Sequence, residues 1–199
     1  MTSTKQRILL RAEKLFFEHG IANVRLQQIA DSSEISVGNL AYHFNNKEAI
    51  VEAVYDMTIE DLDAILVKSE IYPGLGSFDD KFSNLFDFMK KNVFFYTNFW
   101  EIKRNFPEID KNIIDINRKI VSKLKKRLKD NLARNVIKEE ARKGTYDLLA
   151  KTLLFNINSW VPQQLLQDKK LSEADFKTFM WNLIYPYLTA KGKKEFASL

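Results

Sequence analysis

Few residues in this sequence are equipped for reactive chemistry. It has no cysteine and only two histidines, His19 and His43, in 199 residues. Thiol nucleophiles, zinc–cysteine clusters and disulfide scaffolds are thereby excluded. His19 precedes Gly20, a helix-ending glycine by position, where a protonated imidazole suits the negative end of the helix dipole. His43 lies in "GNLAYHF" at 38–44, with no acid–base pair or His-Glu-x-x-His spacing around it. The expectation is a protein that is not an enzyme, with no catalytic residue, no metal and no cofactor. Recognition is the chemistry left. Ser36, Val37 and Asn39 open a short helix whose small and polar outer face suits the major groove of DNA, which admits one helix.

Such a helix has to be held by its neighbours. Ile8, Ala12, Leu15 and Phe16 recur at helical spacing in a first segment, about Ser3 to His19, with Ser3 or Thr4 as cap and Gly20 as stop. A second helix covers Leu26–Ser33, with Leu26, Ile29 and Ala30 on one side, and a third covers about Val37–Phe44. Residues 26–44 thus form two short helices joined by about three residues, a helix-turn-helix, with Ala30 small enough for a close crossing. A fourth helix starts near Asn46, its N-cap, and runs to about Tyr72.

"YPGLGS" at 72–77 holds one of four prolines and two of six glycines, and marks a domain boundary. Beyond it one helix is expected from Phe78 to about Asn105, broken at Phe106-Pro107, and another from there to about Arg142, closed by Gly144. Residues 146–165 and 173–189 then follow the i, i+3, i+4, i+7 apolar template. With so few glycines and prolines, the fold class is all-α. An N-terminal three-helix domain, residues 1–50, is joined by the connecting helix 46–72 to a larger helical domain, 73–199. Phe155, Trp160, Trp181 and Tyr185 are the expected dimerisation residues, because both final helices are apolar on more than one face. Phe94, Phe95, Tyr96, Phe99, Trp100 and Phe106 crowd into residues 92–106, too many for one helical stripe. They suggest an apolar pocket for a small hydrophobic effector, with Phe95, Tyr96, Phe99, Trp100, Phe155 and Asn156 as candidate lining.

"RILLRAEKLFFEHG", "IA" at 29–30, Ile35-Ser36, Val37-Gly38, Leu40, "YHF" at 42–44 and "NKE" at 46–48 together resemble the N-terminal domain of the TetR/AcrR family of bacterial transcriptional repressors. The resemblance covers about a quarter of the chain. It implies a homodimer on a double-stranded, pseudo-palindromic DNA operator, released or retained by an effector. By position it assigns Gln27 to a base edge, and Ser36, Val37, Gly38 and Asn39 to the front of the recognition helix. Tyr42, His43 and Lys47 fall at backbone phosphates. Three positions depart from the family pattern. Ala41 stands where a second aromatic is common, Glu34 where the turn usually has glycine, and Arg25 where a serine or threonine cap is usual. Arg25 is unable to cap but long enough to reach a phosphate.

Net charge is +5 and the isoelectric point about 9.2. Residues 1–50 nevertheless carry six basic against five acidic side chains, and the excess lies in 118–143, which reads as a solvated helix face. No stretch approaches the roughly 20 apolar residues that span a bilayer, and the N-terminus lacks a signal-peptide pattern, so a cytoplasmic protein without membrane attachment is expected. The alternative function is a helical interaction module of the same fold that no longer binds DNA.

Overall fold

The computed structural model describes residues 3–68 and 74–199. Tyr72 and Pro73, the expected end of the connecting helix and start of the boundary, lie outside the described residues. The chain packs as two units. The first joins residues through Asp61 with Asn92–Ile113, and the second joins Leu62–Lys91 with Ile114–Leu199.

In the first unit, α1 (Thr4–His19) starts on a capping box: Ser3 Oγ accepts from Gln6 N, and Gln6 Oε1 accepts from Ser3 N. Gly20, at φ 77°, ends it and returns its N–H to the Phe16 carbonyl. Ile8, Leu9, Ala12 and Phe16 form the buried face. Next come α2 (Leu26–Ser32), α3 (Val37–His43) and α4 (Lys47–Lys68), the last capped by Asn46, whose Oδ1 accepts from Ala49 N at 2.8 Å. Ile29, Ala30 and Leu40 are buried where α2 and α3 meet, as the periodicity predicts.

The single helix expected over 78–105 is three helices: α5 (Gly76–Lys91), α6 (Val93–Thr97) and α7 (Phe99–Asn105). Asn92 and Asn98 sit at the breaks. Asn98 Nδ2 donates to the Phe94 carbonyl at 3.0 Å, and Thr97 Oγ1 reaches the Val93 and Phe94 carbonyls. Such local side-chain bonds compete with helix continuation. The interruption also lets three consecutive aromatics, Phe94, Phe95 and Tyr96, all be buried, which one face of a straight helix does not allow. Tyr55 of α4 lies against Phe94 and Phe95, ring centroids 5.2 and 5.6 Å apart, so α6 belongs to the first unit.

In the second unit, α5 presents Phe82 to Phe176 and Trp181 of α10 (Glu173–Ile184), at 6.1 and 5.7 Å. The helix expected to reach Arg142, α8 (Pro107–Ala133), stops earlier. Asn135 takes a left-handed φ of 57°, and the β-branched pair Val136-Ile137 is buried instead in a short antiparallel bridge to Leu188. α9 (Thr145–Leu166) begins where the Glu140 carboxylate accepts from the N–H groups of Gly144 and Tyr146. The last expected helix also ends early. Pro186 offers no N–H, so Tyr185–Tyr187 tightens to a 3-10 turn, and a further helix, α11 (Ala190–Phe196), follows on a Thr189 cap. Gly192 of α11 is fixed by contact: a Cβ there would overlap the Val136 carbonyl.

Candidate nucleic-acid interface

α3 is short, capped and one-sided. Ser36 Oγ accepts from Asn39 N at 3.1 Å, which starts the helix after the turn. Leu40, inside the helix, and Phe44, just beyond it, are buried and anchor it, with Lys5 Nζ 5.5 Å above the Phe44 ring. Opposite them, Ser36, Val37, Gly38, Asn39, Ala41 and Tyr42 are exposed, and Tyr42 keeps 86% of its surface open. Asn39 uses its main-chain N–H in the cap, and among the described residues its side-chain amide has no hydrogen-bond partner. His43 is half-buried and meets the Tyr42 ring edge-on at 5.3 Å. The exposed side chains of α3 thus offer a methyl-bearing contact, an amide with both donor and acceptor, and a phenol, suited to base edges and phosphates.

At the start of α2, Arg25 and Gln27 are exposed. Arg25 makes no side-chain cap, and its N–H donates to Gln28 Oε1 at 2.8 Å, so the glutamine three residues on closes the helix start. Gln27 Nε2 donates to Asp31 Oδ1 at 2.7 Å, which leaves its carbonyl oxygen outward as an acceptor. The turn contains Glu34 at φ 55°, the left-handed conformation for which glycine is usual. Lys47, on α4, is half-buried, and its ammonium faces inward, onto main-chain carbonyls of the α1–α2 connection. That arrangement has no sequence signal.

The expected effector residues belong to both units. In the first unit Phe95 and Tyr96 are buried, with burial raising the Tyr96 phenol pKa, while Phe99 and Trp100 pair edge-on at the surface. In the second unit Phe155 is 70% exposed, and Asn156 Nδ2 donates to the Thr152 carbonyl within α9. An open groove of about 520 Å³ along α8 and α9 contains none of the six. Its lining includes Ile114, Val121 and Leu154, beside Arg118, Lys125 and Lys151. Of the expected dimerisation residues, Trp160 and Trp181 are interior. Trp181 Nε1 donates to Asp79 Oδ1 at 2.9 Å, and the buried Trp160 Nε1 has no hydrogen-bond partner among the described residues. Phe155 and Tyr185 stay exposed. In the basic run, Arg118, Lys119 and Lys125 pair with Asp115, Asp63 and Asp147. Among the described residues no acidic and histidine cluster is placed to hold a metal, and no helix is long and apolar enough to cross a membrane.

Residues 8–54 match the family described as bacterial regulatory proteins, tetR family, and residues 60–196 match a second family of that name, described as bacterial transcriptional repressor. The HTH-type transcriptional regulator TtgR of Pseudomonas putida is 34% identical over 67 residues, 34% of this chain and 32% of that protein. The chain thus spans about a third of the length of that curated relative. A TetR-family regulator structure from Marinobacter aquaeolei superposes with a TM-score of 0.85 at 20% identity, over 98% of this chain and 97% of the other. The regulator PfmR from Thermus thermophilus superposes at 0.75 and 22% identity, over 90% and 97%. With the capped helix α3 exposed near its N-terminus and family matches over most of its length, the chain belongs to the TetR family of bacterial transcriptional regulators.

Proposed function

We propose that this protein is a cytoplasmic, ligand-responsive repressor that binds a pseudo-palindromic DNA operator as a homodimer. The observation that carries the reading is the outer face of α3: Val37, Asn39 and Tyr42 are exposed together on a helix anchored by Leu40, and the Asn39 amide is uncommitted. In this reading Ser36, Val37, Gly38 and Asn39 meet base edges, Gln27 offers its carbonyl to a base, and Arg25, Tyr42 and His43 reach phosphates. Ala41 withholds one contact that an aromatic would make. The two heads of a dimer then read half-sites about one helical turn, ~34 Å, apart or slightly more. A small hydrophobic effector favours one spacing of the heads and so changes operator affinity, a coupling between two sites.

A gel shift on the DNA upstream of its own coding sequence tests this. Binding should weaken steeply with salt, and Asn39→Ala combined with Tyr42→Ala should abolish it. Parental binding by the double variant would overturn the site assignment. If the parent selects no sequence from random duplexes, an interaction module without DNA binding becomes the better reading.

A further inference from the structure

Lys47 is the first residue of α4, an unfavourable place for a cation because the helix dipole is positive there. Its ammonium donates to three main-chain carbonyls: Ile21 at 2.9 Å, Ala22 at 3.3 Å and Val24 at 3.1 Å. An ammonium has three donors, so all three are committed. The carbonyls belong to the connection between α1 and α2, which is pinned from its other side by the buried Ile21 and Val24 side chains. That connection leads directly into Arg25 and Gln27.

We propose that Lys47 is a positioning residue for operator recognition: it ties the first turn of α4 to the α1–α2 connection and so sets Arg25 and Gln27, without touching a phosphate. The effect on DNA rests on the function proposed above; the tie itself does not. A phosphate-bound lysine and an inward one differ in counterion release. Each phosphate contact adds about 0.9 to the slope of log affinity against log salt on double-stranded DNA. Removing an inward lysine lowers affinity and leaves the slope alone.

The test uses the full chain and a duplex selected by the parent, with fluorescence anisotropy at four salt concentrations for the parent, Lys47→Met and Lys47→Arg. Lys47→Met should bind roughly tenfold more weakly at each salt concentration, the scale of losing hydrogen bonds from a charged donor, with the parental slope. Lys47→Arg should resemble Lys47→Met, because a planar guanidinium does not aim three donors at carbonyls clustered round one point. A slope reduced by about one in Lys47→Met, with recovery in Lys47→Arg, would establish a phosphate contact and overturn the proposal. So would parental affinity in Lys47→Met. Hydrogen exchange without DNA supplies an independent arm. The Val24 and Arg25 amides, which donate to the Ile21 carbonyl and to Gln28 Oε1, should exchange faster in both variants, while the amides of Leu9 and Ala12 in α1 keep parental protection and report an intact first unit. Unchanged exchange at Val24 and Arg25 overturns the tie. If the parent binds no duplex, the proposed function fails while the exchange arm still decides the tie.

Discussion

Glu34 shows how a single residue holds an unfavourable conformation. Its φ of 55° places a Cβ-bearing residue in the left-handed region, at a cost of about 1 kcal/mol relative to glycine. The turn keeps it there through the Glu34 N–H to the Asp31 carbonyl and the Ile35 N–H to the Ala30 carbonyl, at 3.0 and 3.1 Å. Next to it the buried Ser33 hydroxyl has no hydrogen-bond partner among the described residues, a second local cost. Replacing Glu34 by Gly should therefore raise the free energy of unfolding, by up to about 1 kcal/mol, less the extra entropy that glycine gives the unfolded chain. Urea unfolding with an unchanged m-value would show it. A less stable variant would mean that the Glu34 side chain contributes more than its backbone conformation costs.

At the scale of elements, the start of α9 carries a pH dependence. Tyr146 donates its phenol to the Lys138 carbonyl, and burial, reinforced by Glu140, Tyr187 and Glu139, pushes its pKa up to about 12 from an ordinary 10. Burial raises the Tyr55 phenol as well, with Glu101 adding to the shift. For an acid held neutral by the fold, the unfolded chain loses its proton first. Stability is thus complete below pH 10 and falls as pH rises from about 10 to 12. Thermal unfolding of the parent should drop over that interval, and Tyr146→Phe should flatten part of the drop while lowering the melting temperature at pH 8. An equally steep drop in the variant would locate the alkaline sensitivity elsewhere. The same region shows what the sequence makes legible. α1 and α3 carry their own signals, in Ser3, Gly20 and Ser36, so their bounds are readable to within a residue or two. The end of α8 is not, because Val136 and Ile137 continue an apolar period inside a basic run, and only their pairing with Leu188 takes them out of the helix. Pro186 is visible, but Tyr187 and Leu188 carry the helical stripe past it. At the interface, the exposed face of α3 is legible from spacing. The inward turn of Lys47 is not, since its partners are main-chain carbonyls 23 to 26 positions away that any residue type supplies.

For the whole molecule, the homodimer proposed above needs a surface that joins two copies. Trp181 belongs to the interior of the second unit, against Phe78, Phe82 and Phe196. That unit leaves open, among others, a stripe on α9, Leu148, Phe155 and Leu166, spaced about two and then three helical turns apart, and Phe179 on α10, 5.4 Å from the Trp160 ring. Large apolar side chains grouped on neighbouring helices are what a second copy covers in a two-fold contact, where the same patch serves both subunits. Phe155→Glu sets two carboxylates near each other across such an axis while removing little from the monomer's own core, because Phe155 is already 70% exposed. Sedimentation velocity should therefore show a dimeric parent and a monomeric variant. Operator affinity should fall with it, because a monomer engages one half-site and forgoes the avidity of two linked heads, on the order of a hundredfold or more. If the variant still sediments as a dimer, the subunit contact lies off this face; if it is monomeric yet binds the full operator as the parent does, the two heads read their half-sites independently.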